Sequence, residues 1–165
     1  MSGTTQLLFI LFLKIVIFTA AVDELEIEQI CLDCICQAIS DCNMKLDCTV
    51  DNDITYCGPY YISKIYWIEA GQPGFVYEND DESYRKCTQN KTCADQTIKG
   101  YMYSYGTDCN GNGIIDCADL FRIHRRGKTG CREKSIEKES YWLFFLECYL
   151  NNHYNPRKAL NDLIS

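Results

Sequence analysis

Basic charge is in deficit in this chain. Sixteen lysines and arginines stand against 23 aspartates and glutamates, a net charge of −7 over 165 residues. Such a surface repels phosphate backbones and anionic envelopes, which argues against nucleic acid as a partner and against electrostatic adsorption to bacterial surfaces. Also missing is a companion for Cys31-x-x-Cys34: no second Cys-x-x-Cys and no histidine pair accompanies it, so a four-ligand zinc centre is disfavoured. No internal repeat is visible, and no segment after the N-terminal region is apolar enough to span a membrane. The length is that of one ordinary domain, without room for a second sizeable core.

What is present begins with an apolar run, Leu7 to Phe18, broken once by Lys14 and followed by Thr19-Ala20-Ala21 and the acidic Asp23-Glu24. Small residues ahead of the acidic stretch suit a signal peptidase, so residues 1–21 read as a secretory signal peptide. A retained anchor is the alternative, disfavoured by the short, interrupted run. Loss of Lys14 with the signal makes the remaining chain more acidic still. All twelve cysteines lie beyond it. An even count in a chain bound for an oxidising compartment reads as disulfides, so reduction should collapse the fold.

Glu24 to about Asp41 has helical spacing of Ile27, Cys31, Cys34, Ile35 and Ala38. Thr49 to Ile62 has the composition of a hairpin turning at Asp51-Asn52-Asp53, followed by Gly58-Pro59. Ile62 to Ala70 suits a short helix, stopped by Gly71-Gln72-Pro73-Gly74. Glu78 to Arg85, polar and acidic, reads as an exposed loop, and Cys87 to Tyr105 as one helical region. Further helices are expected around Leu120 to His124 and from Glu137 to Asn151. The domain is expected over 22–150, with 151–165 a short polar tail.

Several stretches together resemble the invertebrate-type (i-type) lysozymes, the destabilase family. They are Cys31-Leu-x-Cys-Ile-Cys36 with Cys42, Cys57-Gly-Pro-Tyr60-x-Ile62, Tyr66-Trp67-Ile68, and Gly71-x-Pro73-Gly74. Cys93-Ala94, Tyr101-Met102-x-x-Tyr105, Ile123-His124, Gly130-Cys131 and Tyr141-Trp142 before Cys148 continue the pattern. The stretch from Asp108 to His124 looks most like the insect branch. The resemblance implies a mainly helical, disulfide-rich α+β domain with a short β-hairpin beside the substrate cleft. It implies hydrolysis of the β-1,4 bond between N-acetylmuramic acid and N-acetylglucosamine, in antibacterial defence or digestion, without a catalytic cofactor. Peptidoglycan or a related amino-sugar glycan is the implied partner, contacted by Tyr60, Tyr66, Trp67 and His124, although a histidine on an apolar helix face is more often structural. Ala70 and Thr97 stand where most of the family has cysteines. Loss of both keeps the count even, as expected if they were partners. Proximity pairs Cys36 with Cys42, Cys48 with Cys57 and Cys87 with Cys93; Cys31, Cys34, Cys109, Cys117, Cys131 and Cys148 pair in an order the sequence leaves open.

Glycoside hydrolysis of this type needs two carboxyl groups flanking the bond, one donating a proton and the other ionised. The family's acid is a glutamate three residues after Cys-Ile-Cys, where this chain has Ile39; its second carboxylate matches Asp51. Isoleucine cannot donate a proton, and general acid–base assistance contributes roughly 10²–10⁴-fold. Weak or lost catalysis is therefore expected, leaving a glycan-binding or partner-binding secreted protein as the alternative to an enzyme. Asp51 reads equally as a turn aspartate. Asp41 is close in sequence but points to a different side of a helix, and Glu69 is not tied to the cleft. The serine and lysine positions linked to isopeptide cleavage in the family hold Ile54, Tyr56 and Ser63, with Lys64 one residue out of register.

Two motifs stand apart from the cleft. Asp108, Asn110, Asn112, Asp116 and Asp119 occupy positions one, three, five, nine and twelve of a loop like that of an EF-hand, with Gly113 at six. Structural Ca²⁺ is expected there; a metal-free Asn-Gly turn tethered by Cys109 and Cys117 is the alternative. Asn90-Lys91-Thr92 is a glycosylation sequon.

Overall fold

The computed structural model describes residues 27–76 and 80–164; the expected signal peptide lies outside them. The first helix, α1 (Gln29–Ser40), buries Cys31, Leu32, Cys34, Ile35, Cys36 and Ala38. It stops at two consecutive left-handed residues, Asp41 and Cys42. These turn the chain so that Cys42 N–H donates to Cys36 O and the two cysteines join. Strands β1 (Thr49–Asp51) and β2 (Ile54–Cys57) form an antiparallel hairpin with Asp51 opposite Ile54. Asn52 and Asp53 both have positive φ, at 47° and 64°. That is the turn whose twist matches the flanking strands, and Asn and Asp tolerate it better than other side chains. The short β3 (Ile62–Ser63) pairs with β2 and leads directly into α2 (Lys64–Glu69), capped by Ser63 Oγ on Tyr66 N.

The expected loop over 78–85 is corrected by the structure. Asp80–Thr88 forms a helix, α3, with Asp80, Asp81 and Glu82 in its first turn, where acidic side chains complement the helix dipole. Tyr84, Cys87 and Thr88 make its buried stripe, and Tyr84 Oη donates to Ile62 O at 2.6 Å, fastening α3 to the sheet. Polarity on the outer face of a half-buried helix had hidden the i, i+3, i+4 pattern. The single helical region expected from Cys87 is likewise two helices: α3 ends at Thr88 and α4 (Lys91–Tyr105) starts afresh under Asn90 as N-cap. Gly58, at φ 70°, lies so close to the end of α3 that a Cβ there would stand 1.9 Å from Thr88 O. Only glycine fits both the angle and the space.

Helix α5 (Cys117–Gly130) opens with a capping box between Asp116 and Asp119 and breaks at Gly127. A 3-10 helix (Lys134–Lys138) leads to α6 (Ser140–Asn152), which buries Trp142, Phe145, Cys148 and Tyr149 against α1. The expected polar tail forms a further helix, α7 (Pro156–Ile164), docked through buried Ala159 and through Asp162, which accepts from Tyr149 Oη at 3.0 Å. Among the described residues no helix is long and apolar enough to cross a membrane.

Six disulfides join all twelve cysteines. Three are local: Cys36–Cys42, Cys48–Cys57 and Cys87–Cys93. The others are Cys31–Cys117, Cys34–Cys148 and Cys109–Cys131, so α1 is stitched to both α5 and α6. Closing loops this long restricts the unfolded chain most, by roughly 2–4 kcal/mol each. Ala70 caps α2 where α4 passes close: a Cβ on Gly100 would meet Ala70 O at 2.4 Å. Thr97, one turn before Gly100, is buried and satisfied by Cys93 O at 2.9 Å.

Candidate functional site: a cleft between the hairpin and two helices

The last turn of α1 and the hairpin face each other across a cleft of about 170 Å³. Ile39 and Asp51 both line it. Ser40 Oγ donates to Pro59 O at 2.6 Å, which ties the end of α1 to the turn below the hairpin. Tyr56, Tyr60 and Tyr61 line the cleft as well; Tyr61 is held at φ 51°, an uncommon angle for a side chain of that size. The rest of the lining is His124 and Arg125 from α5, with Tyr141 from α6.

Asp51 is exposed at the end of β1, and Asn52 Nδ2 donates to its Oδ1 at 3.1 Å. The partner position offers nothing to pair with it chemically, since Ile39 presents only methyl and methylene groups. His124 lies in the cleft wall with both ring nitrogens engaged: Nε2 with Tyr60 O at 2.9 Å and Nδ1 with Tyr66 Oη at 3.4 Å. Burial pushes its pKa down to about 4, so the ring is neutral near pH 7. The tautomer that satisfies both contacts donates Nε2–H to the carbonyl and accepts the phenol proton at Nδ1. His124 therefore braces the Tyr60 turn against α5 and has no free nitrogen for proton transfer. Arg125 Nε donates to Glu139 Oε2 at 3.0 Å and its guanidinium lies 4.6 Å from the Tyr141 ring centroid, which fixes both at the rim.

Among the sequence-predicted contact residues, Tyr60 is fully buried with its phenol turned to Leu32 O, Asp95 and Lys91, so it only backs the cleft, and His124 lines it. Tyr66 does not: it stands behind His124, stacked on Tyr101 at 3.8 Å between centroids. Trp67 is withdrawn too, being fully buried with Nε1 donating to Pro73 O at 3.0 Å, a core residue that no ligand can touch. Tyr56, Tyr61, Arg125 and Tyr141 were missed as cleft residues. Tyr141 had a signal, its place beside Trp142 in the aromatic pattern; the other three had none, because only strand register and the α5 face decide which way they look.

The neighbouring carboxylates lie elsewhere. Asp41 and Glu147 line a second hollow of about 560 Å³ on the far side of Ile39, between α1 and α6; it shares Ile39 and Tyr141 with the cleft but not Asp51. Glu69 faces Lys128 at 3.6 Å. Lys64 pairs with Asp80 and Asp81, and Ser63 Oγ is occupied as a helix cap.

The loop from Asp108 to Asp119 has the expected residues, but their oxygens turn to its own amides. Asp119 accepts N–H donors from Cys109, Asn110 and Asp116; Asp108 accepts from Gly111, Asn112 and Gly113. Asn112 Nδ2 donates to Asp116 Oδ2 at 3.0 Å, and Asp116 Oδ1 caps α5. The amide bonds, that from Gly113 foremost, hold Asp108 below its usual pKa, while burial raises Asp119 and pushes Asp116 up to about 6. Among the described residues no group of three or more His, Cys, Asp or Glu side chains is placed to hold a metal ion. Asp119, a methylene shorter than the usual glutamate, sits buried on three amides. The loop is tethered through both of its cysteines, Cys109 bonding Cys131 and Cys117 bonding Cys31.

Comparison with known proteins converges on one family. The family model described as Destabilase matches residues 28–148. Invertebrate-type lysozyme 6 of Caenorhabditis elegans is 32% identical over 113 residues, covering 68% of this chain and 80% of its own. Invertebrate-type lysozyme 2 of the same organism is 32% identical over 134 residues, covering 81% and 89%. Among solved structures, the inhibitor-bound lysozyme from Meretrix lusoria superposes with a TM-score of 0.59 at 28% identity, covering 73% of this chain and 89% of that one. From the first turn of α1 to the cysteine that α6 lends to Cys34, the chain belongs to the destabilase family of invertebrate-type lysozymes.

Proposed function

We propose that this chain is a secreted lysozyme-family protein that holds a peptidoglycan-type glycan in the Ile39–Asp51 cleft and hydrolyses it weakly or not at all. One observation carries the reading. The cleft has an exposed carboxylate at Asp51, tyrosines and a braced rim, while Ile39, which lines the same space, is aliphatic. A glycosidic oxygen leaves as an alcohol only if something protonates it as the bond breaks, and Ile39 has no proton to give. His124 is bonded through both nitrogens, and Asp41 and Glu147 open into the other hollow. What remains in the cleft suits binding: aromatic faces for sugar rings and polar groups for hydroxyl and acetamido groups, the usual mix of a small-molecule site.

The test uses the oxidised secreted protein on purified insoluble peptidoglycan. Co-sedimentation with little release of soluble fragments is expected. Turnover comparable to an active family member would overturn the loss of catalysis, and absence of co-sedimentation would leave a partner-binding role without glycan affinity.

A further inference from the structure

One surface feature is used by neither the cleft nor the core. Asn90-Lys91-Thr92 is the single Asn-x-Ser/Thr tripeptide of the chain. Asn90 lies exposed in the break between α3 and α4, and its Oδ1 accepts the N–H of Cys93 at 3.0 Å as the α4 cap. An amide has one oxygen and one nitrogen on opposite arms. With the oxygen turned into the helix end, Nδ2 is directed outward. Thr92, also exposed, lies in the first turn of α4. Acceptor nitrogen and required hydroxyl therefore share one accessible corner.

We propose that Asn90 carries an N-linked oligosaccharide in the secreted protein, an inference that rests on the reading of residues 1–21 as a signal peptide. The donor is an oligosaccharide on a lipid pyrophosphate. A bond forms between Nδ2 and the anomeric carbon, the bond from that carbon to the pyrophosphate oxygen breaks, and the lipid pyrophosphate leaves with the electron pair while the amide loses one proton. The product keeps the Asn90 oxygen, so the cap on Cys93 persists after modification.

The glycan stands clear of the cleft. The lining residues come from α1, the hairpin and its following turn, α5 and α6, and none from 87–105. Tyr60 measures the separation: its backbone carbonyl meets His124 at the cleft, while its phenol reaches Asp95 and Lys91 on the α4 side. The sugar covers the corner beside Cys87–Cys93 and leaves the mouth between Ile39 and Asp51 open.

The experiment is expression of the full chain in insect cells, with intact mass measured on medium and cell fractions before and after peptide-N-glycosidase treatment. The expected result is protein in the medium that loses one glycan mass on treatment and acquires aspartate at position 90. Asn90→Asp, which keeps a capping oxygen, and Thr92→Ala, which keeps Asn90 itself, should both migrate at the deglycosylated position without treatment. Wild-type protein in the medium at bare polypeptide mass overturns the inference and leaves secretion standing. Retention of the unmodified chain in the cytosol overturns both.

Discussion

The cleft and the 108–119 loop fail their sequence motifs in opposite ways. In the cleft Ile39 and Asp51 line one space, and on the proposed reading a single residue type is changed: isoleucine stands where the family resemblance puts a glutamate. In the loop nearly every residue type is right and the oxygens are turned inward, Asp108 and Asp119 accepting from six backbone amides. A motif specifies which atoms are available; hydrogen bonding decides where they point. The first defect is chemical and is reached by a single side chain. The second is structural, and undoing it means finding new partners for the amides.

The comparison breaks most visibly if one side chain restores the cleft. Ile39→Glu places a carboxyl at a half-buried position beside tyrosines, where desolvation holds it protonated, as a general acid requires. Release of soluble fragments from peptidoglycan should rise by about 10²–10⁴-fold over the wild type. The same assay on Ile39→Gln, which has the shape without the acid, should show no gain. A flat result for Ile39→Glu, with binding intact, would mean that Asp51 is not positioned as the second carboxylate.

The disulfides separate the two regions next. Cys34–Cys148 joins the helices that carry Ile39 and Tyr141, whereas Cys109–Cys131 tethers only the loop. With the other five bridges intact, Cys31–Cys117 shortens the chain that Cys34–Cys148 encloses to roughly a few tens of residues. Either double alanine variant should therefore cost about 3 kcal/mol, but only loss of the first pair should weaken glycan binding in the cleft. Chemical denaturation under oxidising conditions measures both. Equal loss of peptidoglycan co-sedimentation in the two variants would mean that the bridge between α1 and α6 does not position Ile39 and Tyr141.

Asp119 tests the loop directly. Asp119→Ala strands three amide donors, two of them on buried residues, and each unsatisfied group costs about 1–3 kcal/mol. Because those amides already satisfy the carboxylate, the wild-type melt should be unchanged between millimolar calcium and excess chelator. A rise of several degrees with calcium would show that the loop opens to take the ion and would reinstate the site the sequence suggested.

Helix α1, the hairpin with its Asn52-Asp53 turn, and the pairing of near cysteines were legible because each is decided locally, by period, by turn chemistry or by short separation. Helix α3 was not, because Asp80 to Glu82 look like solvent-exposed loop residues until Tyr84 and Cys87 are known to face the sheet. Docking of α7 through Asp162 and Ala159 was equally invisible, since it depends on where Tyr149 ends up. In the cleft, Ile39 and Asp51 could be read from spacing after cysteines, but Trp67 could not be told from a binding residue. An aromatic side chain serves core and cleft alike, and only its indole N–H, bonded to Pro73 O, reveals which.

The smallest effect is in pH dependence, where the two regions pull in opposite directions. His124 has its pKa lowered to about 4 by burial, against an ordinary value of 6.5. The unfolded chain takes up a proton on it as pH falls through 6.5 while the folded chain does not. The stability it contributes is therefore complete above pH 6.5 and is lost progressively as pH falls toward 4. Asp116 is raised to about 6 by burial, against 3.8. The folded chain holds that proton more tightly, so its contribution is complete below 3.8 and is lost as pH rises through 6. Between pH 4 and 6 the slopes oppose one another, and the wild-type melting temperature should vary little from this pair. Asp116→Asn removes the loop term and should leave a melt that falls on acidification; His124→Gln removes the cleft term and should leave one that rises. If both variants keep the wild-type profile, neither group is as desolvated as its surroundings indicate, and the neutral brace at Tyr60 needs another explanation.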